Sequence, residues 1–251
     1  MSGLLSLQDI TAGYAGHEVV KGASLSVKAG EFCALLGLNG CGKTTLLRAA
    51  CGLLPLQGGR CTVQQQDCTH LDERRRACLM SYIPQRGSLI MGKTVLEVVL
   101  MGFNPRLRLL DSPGETHKKA ALENLDRLGL LALAGRDYAQ LSEGQKQLVI
   151  LARALSQDTP VMLMDEPDSA LDFVNRHMVL EKIREVLHDP NFALTYCDRL
   201  LLMKDGRITA EINMKKATHE EVQAALGLIY GKIAVLEYAG RYIMTKRAQE
   251  G

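Results

Sequence analysis

The 251-residue chain is 47% hydrophobic and 23% charged, which suits one large domain or a core with attached subdomains. Its 30 Lys and Arg against 28 Asp and Glu leave a net charge of +2. No basic surplus is available to neutralise phosphates, so nucleic acid is excluded as the main partner. No run approaches the roughly 18 consecutive apolar residues of a membrane-spanning helix. Met1 to Ile10 has neither the basic start nor the apolar stretch of a secretory signal, and the expectation is a cytoplasmic chain. The seven cysteines (Cys33, Cys41, Cys51, Cys61, Cys68, Cys78 and Cys197) are odd in number and form no C-x-x-C pair. They read as reduced thiols, mostly packed as small apolar residues.

In chain order, Leu4 to Ile10, Val19–Val20, Leu25 to Val27 and Phe32 to Leu36 read as short strands punctuated by Gly13, Gly16, Gly22 and Gly30. They predict an antiparallel sheet leading into one buried strand, since Phe32 to Leu36 is apolar throughout. A glycine-rich loop follows, then a helix over Leu46 to Leu53. Pro55 to Asp72 is turn-rich, and Met80 to Pro84 is a further strand. From Thr94 to Leu155 the pattern is helical. Val95, Val98, Val99 and Gly102 share one face, and Ala121, Leu122, Leu125 and Leu128 form a second stripe, with a loop over Arg106 to Glu115 between them. Val161 to Met164 is a buried strand ending in Asp165-Glu166-Pro167. Val179 to Leu187 has helical spacing. Leu200 to Met203, an Asp205-Gly206 turn and Arg207 to Ile212 read as a hairpin, and the segment from Met214 is mixed and weakly patterned.

Gly37-Leu-Asn-Gly-Cys-Gly-Lys-Thr44 fits G-x-x-x-x-G-K-T, the phosphate-loop pattern. Glycines let consecutive N–H groups point at a polyphosphate, and the following helix aims its positive end at the same anion. Lys43 suits the β- and γ-phosphates, and the Thr44 hydroxyl suits Mg²⁺. The bland alternative is a strand-to-helix turn that binds nothing. The predicted strand before the loop and helix after it favour nucleotide binding.

Asp165 and Glu166 close an apolar strand, where the carboxyl end of a sheet meets its ligand. Asp165 suits Mg²⁺ held through water, and Glu166 suits polarisation of an attacking water. Gln85, just after the Met80–Pro84 strand, could reach the metal or the water. Leu141-Ser-Glu-Gly-Gln145 precedes a strong helix over Lys146 to Ala154, and Ser142 with Gln145 satisfies a capping box.

In this order the segments resemble the ATP-binding cassette (ABC) proteins. Gly37–Thr45 looks like Walker A, Gln85 like the Q-loop glutamine, Leu141–Gln145 like the signature motif, and Val161–Glu166 like Walker B. Ser169-Ala-Leu-Asp172 looks like the D-loop and His188-Asp189 like the switch histidine. The resemblance implies an α/β fold: a P-loop NTPase (RecA-like) core (37–85 and 156–213), an antiparallel β-subdomain mainly over 1–36, a helical signature subdomain (86–155) and a C-terminal extension (214–251). It implies ATP and Mg²⁺ as cofactors. Tyr14 would stack on adenine. Gly37, Asn39, Gly40, Cys41, Gly42, Lys43, Thr44 and Thr45 would hold the phosphates, and Thr44, Gln85 and Asp165 would attend the metal. Glu166, His188 and Gln85 would serve hydrolysis. Ser142, Gly144, Gln145 and Asp172 would act across a head-to-tail homodimer on nucleotide held by the second subunit.

Two departures stand out. Glu143 replaces the family's usual glycine and is read as tolerated. Between Asp172 and His188 the helix ending at Leu187 runs straight into His188-Asp-Pro-Asn-Phe192, where the family has a strand and turn. Two alternatives follow: a segment absent from the sequence as written, or a cassette with impaired hydrolysis.

The stretch Thr94 to Gly102 with Pro105, and the tail from Leu228 to Tyr242, resemble importers of iron–siderophore, haem, cobalamin or molybdate type. That resemblance implies a polytopic permease, an upstream substrate-binding protein and a place at the cytoplasmic face of the membrane. A soluble ABC ATPase without a permease is the competing reading.

Overall fold

The computed structural model describes residues 3–85, 90–108, 110–165, 197–231, 233–238 and 241–246. They fall into two units, residues 1–70 with 184–251 and residues 71–183.

In the first unit, β1 (Leu5–Tyr14) buries Leu5, Leu7, Ile10 and Ala12. The step from Leu7 to Ile10 breaks the strand's period of two. A bulge restores the phase: Asp9 takes a positive φ of 50° and its N–H donates to Ser24 Oγ at 2.8 Å. β2 (His17–Val27) pairs antiparallel with β1 and runs unbroken through Gly22. The short segments expected on either side of Gly22 are therefore one strand, because the glycine supplies a register shift rather than a stop. The turn-rich region also holds a hairpin, β4 (Gly58–Val63) and β5 (Gln66–Asp67), completing a sheet ordered β2-β1-β4-β5. Its turn residues Gln64 and Gln65 both have positive φ, a conformation usually signalled by Asn-Gly, which is why the sequence concealed it.

β3 (Cys33–Leu36) pairs in parallel with β8 (Arg199–Lys204), and β8 pairs antiparallel with β9 (Arg207–Asn213). α1 (Lys43–Ala50) follows β3 and buries Leu46, Ala49 and Ala50 against β1 and β2. Arg199, almost fully buried, ion-pairs with Glu31 at 2.8 Å and Glu211 at 2.6 Å. The tail is more ordered than its sequence pattern suggests. It forms α6 (His219–Tyr230) and the hairpin β10 (Ile233–Tyr238) and β11 (Arg241–Lys246). Val222, Leu226 and Ile229 of α6 and Ile233 and Val235 of β10 join Ala34, Leu36, Leu200, Leu202 and Ile212 in one core. Each large side chain buried this way contributes about 1.5–3 kcal/mol. Gln223 completes the attachment, accepting from Val235 N–H at 2.6 Å and donating to the Ile233 carbonyl at 3.0 Å.

In the second unit, α2 (Glu73–Ala77) precedes β6 (Met80–Ile83), and β6 pairs in parallel with β7 (Val161–Met164), setting Tyr82 opposite Leu163 and Ile83 opposite Met164. α3 (Val95–Leu100) is started by a Thr94–Glu97 capping box and buries Val95, Val98 and Val99 completely, as their spacing predicts. α4 (Glu115–Arg127) buries Ala121 and Leu125, whereas Leu122 is only half-buried. Both helices pack on α5 (Glu143–Gln157), which extends the expected Lys146–Ala154 helix at each end. The helix expected over Val179 to Leu187 lies outside the described residues.

Candidate functional site

The first unit carries the phosphate loop. β3 ends at Leu36, and the chain turns at once beneath β8. A Cβ on Gly37 would collide with the Met203 carbonyl oxygen and lie 2.6 Å from Cys41 Sγ, so no side chain fits there. Cys41 N–H donates to the Leu38 carbonyl at 3.2 Å, closing a tight turn whose third residue, Gly40, has φ +80°. Leu38, Asn39 and Gly40 form an exposed tip, while Gly42, Lys43 and Thr45 are buried at its base. Gly42, the residue before α1, has φ +110° and offers no side-chain cap. The positive end of α1 is therefore presented without a carboxylate or hydroxyl of its own N-cap residue, as an anion site requires.

Lys43 is 7% exposed, and its Nζ donates to the Gly37 carbonyl at 2.8 Å and the Leu38 carbonyl at 3.2 Å. Its ammonium is thus held on the loop by two neutral acceptors. An anionic phosphate oxygen is a stronger acceptor for the same donors. Thr44 is half-buried one residue further on.

Two features of this region escaped the sequence reading. Gly206, in the β8–β9 turn, donates its N–H to the Cys41 carbonyl at 3.0 Å and accepts from Lys21 N–H at 2.8 Å. On β2, the Val19 carbonyl and Cγ1 would stand 3.3 and 3.4 Å from a Cβ placed on Gly42. The loop is buttressed from β2 and from the β8–β9 turn, which lie far apart in sequence. Tyr14 ends β1 opposite His17, before the Ala15–Gly16 turn, and is 44% exposed. An exposed aromatic at the tip of the β1–β2 hairpin is available for stacking.

The second unit carries the acidic strand end and the Leu141–Gln145 segment. Asp165, one residue past β7, is 1% exposed. Its N–H donates to the Ile83 carbonyl at 2.8 Å, and its Oδ2 accepts from Tyr82 Oη at 3.0 Å. Gln85 follows β6 by two residues and is half-buried. A buried carboxylate at the C-terminal end of two parallel strands is a hard oxygen donor of the kind Mg²⁺ prefers, so the donor chemistry fits that ion.

Ser142 caps α5: its Oγ accepts from Gln145 N–H at 3.3 Å, and Gln145 Oε1 accepts from Ser142 N–H at 3.1 Å. Both halves of the expected capping box are present. Ser142 and Glu143 are exposed, with Gly144 and Gln145 half-buried behind them. Glu143 ion-pairs with Lys146 at 2.8 Å on its own helix. Its charge is thus paired along α5 with a cation three residues on. Glu166, Asp172 and His188 lie outside the described residues. Among the described residues, no helix is long and apolar enough to cross a membrane.

The profile of the ABC transporter family matches residues 20–169, from β2 through the phosphate loop and signature segment to just past Asp165. The chain is 35% identical over 224 residues to the hemin import ATP-binding protein HmuV of Shewanella denitrificans, covering 83% of this chain and 87% of that one. It is 34% identical over 217 residues to a probable iron chelatin transport ATP-binding protein of Helicobacter pylori, covering 82% and 85%. Among solved structures, a chain from an inward-facing transporter described as metal-chelate type superposes with a TM-score of 0.79 at 25% identity over 99% of both chains. A dimeric cassette in a post-hydrolysis state with ADP and Pi gives 0.73 at 28% identity, over 84% of this chain and 98% of that one.

Proposed function

The chain belongs to the ABC transporter family and is an ATPase with the α/β cassette fold; from that premise we propose that it powers a membrane importer of metal chelates. The observation that carries the ATP site is the glycine-lined loop closed by Lys43 at the uncapped start of α1. Gly37, Asn39, Gly40, Cys41, Gly42, Lys43, Thr44 and Thr45 hold the phosphates and Tyr14 stacks on the base. Mg²⁺, when bound, would supply positive charge to offset that of the phosphates; Thr44, Gln85 and Asp165 are the residues that would hold it. Glu166 orients the attacking water, with Gln85 and His188 in supporting roles.

The exposed N-terminus of α5 is the surface that meets a second copy. Ser142, Gly144 and Gln145, with Asp172, would complete a site whose phosphates are bound by the partner subunit, in a two-fold homodimer closed by ATP and opened by hydrolysis. The hemin and iron chelatin relatives support the metal-chelate class, and with it a polytopic permease, a substrate-binding protein and a peripheral position on the cytoplasmic face of the membrane.

The test is co-expression with permease subunits encoded beside the gene, followed by ATPase assays in proteoliposomes. Co-purification, with turnover stimulated by loaded binding protein, is expected. Full activity alone with no permease bound would overturn the importer reading and leave a soluble ATPase. A second reading, ATP binding with slow hydrolysis, is favoured by the short spacing between Asp172 and His188. It predicts that Glu166→Gln changes an already low turnover little, whereas in an intact hydrolase the same substitution traps an ATP-bound dimer.

A further inference from the structure

We propose that Tyr82 is a positioning residue for the metal: its hydroxyl holds the Asp165 carboxylate in the orientation that receives Mg²⁺ with its water shell. The inference rests on the reading of Asp165 as the metal partner. β6 grips Asp165 at two points. The Ile83 carbonyl accepts its backbone N–H at 2.8 Å, and Tyr82 Oη donates to Oδ2 at 3.0 Å.

The parallel register explains how one strand does both. Ile83 lies opposite Met164, so the residue after Met164 reaches back to the Ile83 carbonyl. Tyr82 lies opposite Leu163, and its ring spans the two residues to Asp165. Asp165 is 1% exposed, so bulk water does little to select its rotamer, and the phenol hydroxyl sets which oxygen is turned toward β6. Groups that orient a metal-binding carboxylate in this way typically change metal affinity by about 10- to 100-fold when removed. The same strand exits into Gln85, so β6 supplies both the support for Asp165 and a neighbouring polar group.

The experiment uses the full chain and Mn²⁺ as the probe, titrated with a non-hydrolysable ATP analogue and read by electron paramagnetic resonance. Tyr82→Phe is expected to weaken Mn²⁺ binding about tenfold, while leaving binding of the analogue in EDTA unchanged. A merely structural role would alter the EDTA affinity or the melting curve and leave Mn²⁺ affinity alone. In an Asp165→Asn background, Tyr82→Phe is expected to have no further effect on Mn²⁺. Should Tyr82→Phe fold poorly, Asp165→Glu keeps the charge but displaces it from the hydroxyl, and the same loss is expected. Mn²⁺ affinity within twofold of the parent in Tyr82→Phe, or an undiminished effect in the Asp165→Asn background, would overturn the proposal. Parent-like Mn²⁺ affinity in Asp165→Asn alone would overturn the reading of Asp165 itself, and this inference with it.

Discussion

Gly206 N–H donates to the Cys41 carbonyl at 3.0 Å, tying the β8–β9 turn to the middle of the phosphate loop. The two residues are 165 positions apart, and the bond exists because Gly206 has no side chain. A Cβ there would collide with the Val19 carbonyl oxygen, and the residue's φ is +84°. Gly206→Ala should therefore destabilise the chain by about 1–3 kcal/mol through strain and weaken ATP binding. Gly227→Ala is the control: a Cβ there meets nothing within 4 Å inside α6, and a gain of about 0.5–1 kcal/mol is expected. Thermal melts and nucleotide titrations of both variants check the contrast.

Lys43 separates binding from folding. Its charge-assisted hydrogen bonds are made to loop carbonyls in this structure and would pass to phosphate oxygens in the complex. Lys43→Ala should weaken ATP affinity about 10- to 100-fold, the equivalent of losing about 1.5–3 kcal/mol. Lys43→Arg should not restore it, because a planar guanidinium does not fit a loop built around a compact ammonium. Isothermal titration with ATP, beside a melt to confirm folding, measures both.

Acid should loosen the start of α3. Hydrogen bonds from the Thr94 N–H, then from Lys93 and the Thr94 hydroxyl, lower the Glu97 carboxyl from its usual 4.5 to about 2. A group whose folded value is depressed stabilises the fold fully above its unfolded value and loses that contribution as pH falls toward the folded one. Glu97→Gln should therefore lower the melting temperature at neutral pH, and the gap to the parent should close between about pH 4.5 and 2. Thr94→Ala removes the side-chain cap at a cost of about 1 kcal/mol and should flatten the same pH profile only in part, because the residue-94 N–H and Lys93 still donate to Glu97.

Among the thiols, burial pushes Cys33 and Cys197 up to about 12. Both should resist maleimide at neutral pH in the folded chain and react once it is unfolded, as mass spectrometry of labelled peptides would show. Rapid native labelling of either would contradict its raised thiol value. None of the seven cysteines, all among the described residues, is in a disulfide. Only Cys61, Cys68 and Cys197 are buried, however, and the other four are partly exposed.

The phosphate loop, the strand ending in Asp165 and the capping box at Ser142 were legible in the sequence because each is local. Glycine conformation, strand-to-helix succession and S-x-x-Q spacing act within a few residues. The helical stripes at Val95–Val99 and Ala121–Leu125 were legible for the same reason, their period fixing which face is buried. Where an element relies on partners distant in sequence, no local pattern marks it. The β4–β5 hairpin is a strand because β1 pairs with it, and its Gln64–Gln65 turn carries no signal of its own. The tail folds because α6 and β10 bury their apolar residues on Leu200, Leu202 and Ile212.

By itself the sequence determined a chain with no basic surplus, a glycine-rich loop between strand and helix, and a motif order that resembles the ATP-binding cassette proteins. Only the tertiary structure decided how its chemical groups are held: Lys43 on the loop carbonyls, Gly206 beneath Cys41, Glu143 turned to Lys146, and Tyr82 on Asp165. The physical reason is that residue type selects what a side chain can donate or accept, whereas strand register and close backbone approach select which partner it meets.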